Sequence, residues 1–247
     1  MKLGAQKYTV RDYCKDLDGF SQTLKKIADI GYKTVQVSGT CDYEADWLKE
    51  ELRKNGLECA ITHYNTDKII SSPEEVTAAH KVFGCKYVGI GWYDLNAKET
   101  QEFIETFKPS AKAIKDSGLS LSYHNHDPEF KIENGKTKLQ TILESFTEDE
   151  LKITLDTFWA QAGGADPAKL IRELKGRVPC IHLKDMAYDR MMMPVGSGNM
   201  NFESIIAAAI DSGVEYALVE QDNCNGLDPF DCLKRSYEYC RANGIEG

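Results

Sequence analysis

The sequence predicts an α/β protein, a single (β/α)8 TIM barrel that takes up residues 1–247. Three observations lead there. Short apolar or β-branched runs alternate with longer amphipathic stretches of period near 3.6 from one end to the other. Glycine follows most of the amphipathic stretches, at 31, 56, 84, 118, 176, 213 and 244, where a helix can stop in the left-handed conformation at little steric cost. The length of 247 residues matches the roughly 250 that such a barrel needs, and leaves little for a second domain. A helix, a glycine stop and then a strand is a parallel connection with a right-handed crossover. The competing layout, an open doubly wound sheet, usually has a Gly-rich turn after its first strand. The segment Gln6-Lys7-Tyr8-Thr9-Val10-Arg11 has none.

Eight strands are expected, over residues 3–8, 34–38, 59–63, 87–90, 119–124, 152–156, 180–183 and 216–220. The helices between them are marked by apolar positions that share a face. Phe20, Leu24, Ile27 and Ala28 mark the first, and Trp47, Leu48 and Leu52 the second. Val76, Ala79 and Phe83 follow a proline start at Pro73. Phe103, Phe107 and Ile114 mark the fourth, which Pro109 is expected to kink or divide. Leu139, Ile142 and Leu143 mark the fifth, and Leu170, Ile171 and Leu174 the sixth, after Asp166-Pro167. Phe202, Ile205, Ile206 and Ala209 mark the seventh, and Phe230, Leu233 and Tyr237 the last, after Asp228-Pro229.

Hydrophobic residues make up 42% of the chain, enough for a core without staples. The net charge of −9, from 39 acids against 30 bases, excludes a partner such as nucleic acid, whose phosphates demand a basic face. No apolar run nears the roughly 18 residues of a membrane span. Met1-Lys2-Leu3-Gly4-Ala5-Gln6 has no apolar signal core. The eight cysteines are dispersed with no CxxC pair, as free thiols in a reducing compartment are. A cytoplasmic protein is expected, and a homo-oligomer is compatible with the sequence.

In a parallel barrel the chemistry gathers at the C-terminal ends of the strands. Four of the five histidines, His63, His124, His126 and His182, stand at such ends. The fifth, His80, is expected on a helix surface. Asp156, His182 and Glu220 end three successive strands and so converge on one mouth. A carboxylate, an imidazole and a second carboxylate suit one divalent metal ion of mixed ligation, Mn, Zn, Co, Fe or Mg. The neighbouring fifth strand offers His124, His126 or Glu129 as a fourth ligand. Each residue also has a plainer reading: Asp156 as a helix cap, His182 as a core histidine, Glu220 as an ion-pair partner of Lys184. The aromatic residues Trp92, Phe158 and Trp159 suit either sugar stacking or rim packing, and Met191-Met192-Met193 suits packing or loop surface.

The segments Leu155-Asp156-Thr157, Ile181-His182-Leu183-Lys184-Asp185 and Val219-Glu220-Gln221-Asp222 resemble the xylose isomerase-like (sugar phosphate isomerase/epimerase) TIM barrels. So does Val195-Gly196-Ser197-Gly198-Asn199-Met200-Asn201-Phe202, which looks like that family's Gly-x-Gly loop. The resemblance covers essentially the whole chain. It implies a divalent metal held by Glu, Asp, His and Glu from four successive strands. Asp156, His182 and Glu220 carry over directly. The fifth strand departs from the pattern, reading Tyr123-His124-Asn125-His126-Asp127-Pro128-Glu129-Phe130. Glu129 is taken as the ligand, with His124 and His126 as the alternatives. The Tyr-His-Asn-His pattern resembles a branch related to inosose dehydratases and keto-glycoside-processing enzymes.

The resemblance implies a metal-dependent sugar isomerase or epimerase. Such an enzyme removes a proton beside a metal-bound carbonyl/hydroxyl pair on a keto-sugar or polyol. The alternatives are a lyase or hydratase on a keto-glycoside or keto-inositol, and a sugar-binding barrel without catalysis. Glu220, His126 and Glu129 are the expected acid/base groups. His126 is preferred as the second of them, because an imidazole near neutral pKa transfers protons either way. His63, His124, Lys184, Arg190 and Trp159 are expected to meet the substrate, a small sugar or cyclitol. No phosphate grip is evident, which favours a non-phosphorylated one. The charge and the scarcity of histidine separate the chain from the DNA-binding endonuclease IV branch.

Overall fold

A computed structural model describes residues 1–245. Eight parallel strands close into a barrel: β1 (Lys2–Gln6), β2 (Thr34–Val37), β3 (Glu58–His63), β4 (Tyr87–Ile90), β5 (Ser120–His124), β6 (Leu151–Asp156), β7 (Cys180–Leu183) and β8 (Tyr216–Val219). Neighbours in sequence are neighbours in space, and β1 pairs with both β2 and β8. Ten helices lie outside: α1 (Leu17–Ile30), α2 (Ala45–Asn55), α3 (Thr66–Ser71), α4 (Pro73–Val82), α5 (Thr100–Asp116), α6 (Lys138–Ser145), α7 (Thr157–Ala162), α8 (Pro167–Glu173), α9 (Phe202–Ser212) and α10 (Pro229–Ala242). The single (β/α)8 barrel is therefore the observed fold. Among the described residues no helix is long and apolar enough to cross a membrane.

The main core fills the layer between strands and helices, with Leu3, Val35, Phe20, Leu24, Phe103, Phe107, Ile153 and Ile205 among its members. A smaller cluster of Ala60, Ile61, Tyr87, Cys180 and Leu218 is packed separately, with Tyr216 against it. Each of the eight cysteines is a free thiol.

Several local expectations are corrected. β1 stops at Gln6 and the chain turns into a 3-10 segment, Lys7–Tyr13, because the Gln6 side chain accepts from Tyr8 N and caps the turn. Pro109 does not divide α5. It lies on the exposed face, where water can take the carbonyl that loses its partner. α3 is an extra turn of helix ahead of Pro73, capped by the Asn65 side chain. His80 is fully buried, not on a surface. Its Nδ1 lies 2.7 Å from Val76 O and its Nε2 2.8 Å from Thr62 Oγ1, so it clamps α4 to the back of β3. Two small antiparallel hairpins decorate the mouth: Ile132–Glu133 with Lys136–Thr137, and Asp185–Met186 with Met192–Met193.

Candidate metal centre and active site

Parallel pairing sets the site. Asp156 is in register with His182, and His182 with Leu218, two residues before Glu220. His124 closes β5, which pairs with β6. The strand ends thus bring His124, Asp156, His182 and Glu220 together, each buried, with one ligand atom apiece inside a 4.8 Å span. Three of the four were expected as ligands.

The orientations fit a metal ion. His182 Nε2 donates to Gln36 Oε1 at 2.7 Å, which leaves the Nδ1 lone pair facing the group. His124 Nδ1 donates to Gly91 O at 3.0 Å, which turns Nε2 toward Asp156 Oδ2, 3.3 Å away. Asp156 divides its carboxylate: Oδ1 accepts from Trp159 N at 2.9 Å and caps α7, while Oδ2 faces the two imidazoles. The cap reading therefore holds for Oδ1, and Oδ2 is left for the ligand reading. His182 Nδ1 and Glu220 Oε2 stand 2.9 Å apart, yet neither has an aligned hydrogen-bond partner among the described residues. A nitrogen and a carboxylate oxygen held that close, with no aligned hydrogen bond between them, can share a cation, as Glu220 Oε2 already does with the Lys184 ammonium at 2.9 Å. Two nitrogens and two carboxylate oxygens in that arrangement suit a divalent ion such as zinc or manganese.

Lys184 belongs to the same cluster. Its ammonium lies 3.2 Å from Asp156 Oδ2, 2.9 Å from Glu220 Oε2 and 3.0 Å from Asp222 Oδ2. Burial by itself raises the Asp156 and Glu220 carboxyls, but Lys184 and the imidazoles outweigh it and hold both well below the usual carboxylate range. His182 runs the other way. Burial favours its neutral form, and the Glu220 and Asp156 carboxylates overcome that and lift it to about 9. One divalent cation plus Lys184 would balance the charge of Asp156, Glu220 and Asp222.

Glu129 is the expected ligand that the structure places elsewhere. Its carboxylate accepts from the Tyr123 hydroxyl and from His126 N, and lies outside the four-residue group. It holds the turn after β5, and the fifth-strand member of the four-residue group is His124. The near-neutral imidazole expected at His126 is also corrected. Burial first, and then His124 beside it, pull it down to about 3, so it is neutral. Its Nδ1 has no hydrogen-bond partner among the described residues, and the residue lines the cavity at the mouth.

That cavity, about 420 Å3, is lined by His63, Tyr64, Trp92, His126, Lys184 and Asp222 among others. Gly91 in its wall is required, because a Cβ there would sit 2.7 Å from His63 Nδ1. His63, His124 and Lys184 thus sit where a substrate contact was expected. Arg190 does not line the cavity. It donates to Asp127 Oδ2 at 2.7 Å and lies over the Trp159 ring. Trp159 packs against His126, ring centroids 5.4 Å apart, and its Nε1 has no hydrogen-bond partner among the described residues. Phe158 is buried packing, whereas Trp92 is 60% exposed at the rim.

The sequence reading missed Gln36, Gly91 and Asp222. Gln36 had a signal: a polar residue amid the apolar run of β2 has to satisfy its amide inside the barrel. Gly91 had none, since its role depends on two other strands.

Residues 24–242 match the xylose isomerase-like TIM barrel family. The chain belongs to that family. An inosose dehydratase from Clostridium perfringens is 21% identical, with 82% of each chain covered. A sugar phosphate isomerase/epimerase from Parabacteroides distasonis superposes with a TM-score of 0.84 at 20% identity, covering 98% of this chain and 96% of that one. The IOLI protein, solved with a bound zinc atom, gives a TM-score of 0.73 at 14% identity over 98% of each chain. At these identities the structural likeness is one of fold. The fifth-strand glutamate that the resemblance implies is not in the four-residue group, where this barrel has His124.

Proposed function

We propose that this xylose isomerase-like barrel is a divalent-metal enzyme that removes a proton beside the carbonyl of a neutral sugar or cyclitol. In this reading His124, Asp156, His182 and Glu220 hold the ion. A metal in that position supplies Lewis acidity, which polarises a carbonyl/hydroxyl pair and acidifies the adjacent C–H. The rest falls to the chain's own groups. Glu220 is ionised and reaches the cavity, so it takes the proton. His126 stays neutral and presents Nδ1 to a substrate oxygen as a hydrogen-bonding group. Lys184 keeps the carboxylates ionised.

The observation that favours elimination over epimerisation is the imidazole of His124 in place of a fifth-strand carboxylate. Epimerisation needs proton transfer on both faces of the carbon. Elimination of a β-hydroxyl or β-glycosyloxy group needs one base, and Glu220 can return the same proton to the departing oxygen. A lyase or hydratase, as the name of the clostridial relative suggests, is therefore put ahead of an isomerase or epimerase. Incubation of the metal-loaded protein with keto-sugars and inososes in D2O tests this. The expected result is release of water or an aglycone, reduced about 100-fold or more in Glu220→Gln. Deuterium incorporation at the α-carbon with no leaving group lost restores the epimerase reading.

A further inference from the structure

The room at the mouth does not end with the cavity above the metal centre. A second cavity, about 740 Å3, opens beside it over the ends of β2 and β3. His63 and Tyr64 line both, so their rings form the common wall. Each cavity falls in the roughly 300–1,000 Å3 range of small-molecule sites. The proton-transfer chemistry uses only the first.

The lining of the second speaks to what it takes. Tyr43 and Tyr64 offer half-buried rings, and Thr40, Asp42, Asn65 and Lys68 offer hydroxyl, carboxylate, amide and ammonium groups. Ring faces meet C–H surfaces, while fixed polar groups meet hydroxyls. Glu44 joins Asp42 in the lining, so carboxylates outnumber the ammonium of Lys68. That balance repels a phosphate and admits a neutral, hydroxyl-rich ring. At the wall between the cavities, His63 Nε2 is buried without a hydrogen-bond partner among the described residues. A ring that lines both cavities is placed to meet the group that joins their occupants.

We propose that the β2–β3 cleft is a second sugar subsite and that the substrate is a neutral two-ring molecule, a glycoside or disaccharide. The reacting ring lies over the metal centre, the second ring over Tyr43 and Tyr64, and the linking oxygen at His63. This rests on the sugar-processing reading above and adds to it the size of the substrate and the place of its second ring.

Calorimetry on the Mn2+-loaded protein tests it, comparing D-fructose with the fructose-containing disaccharides turanose, leucrose and isomaltulose. At least one disaccharide is expected to bind tenfold or more tightly than D-fructose. Thr40→Trp, which fills the cleft, and Asp42→Ala, which removes a hydrogen-bonding group, should each reduce that gain and leave D-fructose binding and metal content unchanged. Equal affinity for one ring and two, or a gain that survives in both variants, overturns the cleft and leaves the sugar reading standing. Failure of every sugar to bind, D-fructose included, overturns both.

Discussion

Lys7 sits in surroundings that suit a charge poorly. It follows β1 directly, is fully buried, and holds its ammonium 3.0 Å from the centroid of the Phe20 ring. No hydrogen-bond partner satisfies Nζ among the described residues. Burial pulls its pKa from the usual 10.5 to about 7, with the Cys14 thiol a partial offset. Between those values the unfolded chain binds a proton that the folded chain releases. Stability is therefore lower at pH 7 and rises as pH climbs toward 10.5. Lys7→Met is expected to raise stability at pH 7 by about 1–4 kcal/mol, since a buried charge gives way to apolar volume. Urea unfolding measures this, and a variant no more stable than the parent would show that the site accepts the charge. At the metal centre, His182→Gln should lose stoichiometric divalent metal by elemental analysis while keeping its circular dichroism. Undiminished metal content would sink the ligand assignment.

Two elements shape the site through the residues and backbone they hold. β2 supplies Gln36, which fixes the His182 ring through its Nε2. Gln36→Leu is expected to weaken metal binding about 10–100-fold with the barrel intact, because the ring loses its orientation and tautomer. A competition titration against a chelator reads this directly. The second element is the loop after β7. The Asp185 carboxylate accepts from the backbone N–H groups of Met186, Gly196, Gly198 and Met200 at 2.8–3.3 Å. Here lies the physical reason for the Gly-x-Gly pattern: a Cβ on Gly198 would sit 2.4 Å from Asp185 Oδ1. Gly198→Ala should cost about 1–3 kcal/mol by forcing that cradle open. A thermal midpoint equal to the parent's would show that the loop repacks freely. Pro109 makes the same point about elements from the other side, since its exposed placement lets α5 run through it.

The whole molecule couples the site to pH. His182 is held at about 9 by its carboxylate neighbours, yet a metal ligand must be neutral. Metal uptake at pH 7 should thus expel about one proton, and apparent affinity should rise with pH until about 9. Calorimetry in buffers of different ionisation enthalpy measures the release, and none at pH 7 contradicts the charged imidazole. His80 adds an acid limit. Burial pulls it from 6.5 to about 4. The unfolded chain therefore takes up a proton first, and stability is undiminished above pH 6.5 and lost as pH falls toward 4. The loss at this one residue is about 3 kcal/mol, and His80→Gln should flatten that part of the stability profile.

The sequence by itself determined the barrel, because strand and helix periodicities, glycine stops and length are local or summed properties that survive without a partner. It also determined that Asp156, His182 and Glu220 meet, since a polar residue that closes an apolar strand in a parallel barrel has one mouth to face. Tertiary structure decided what depends on several strands at once. That His124 and not Glu129 joins the four-residue group turned on where the chain bends after β5, with Tyr123 and His126 N taking the Glu129 carboxylate. The burial of His80 turned on the rotation of α4 against β3. Arg190 was spent on Asp127, sixty-three residues away, and the second cavity arose between two loops with no motif in common. Hydrogen-bond competition and cavity shape are set by residues distant in sequence, so no local pattern encodes them.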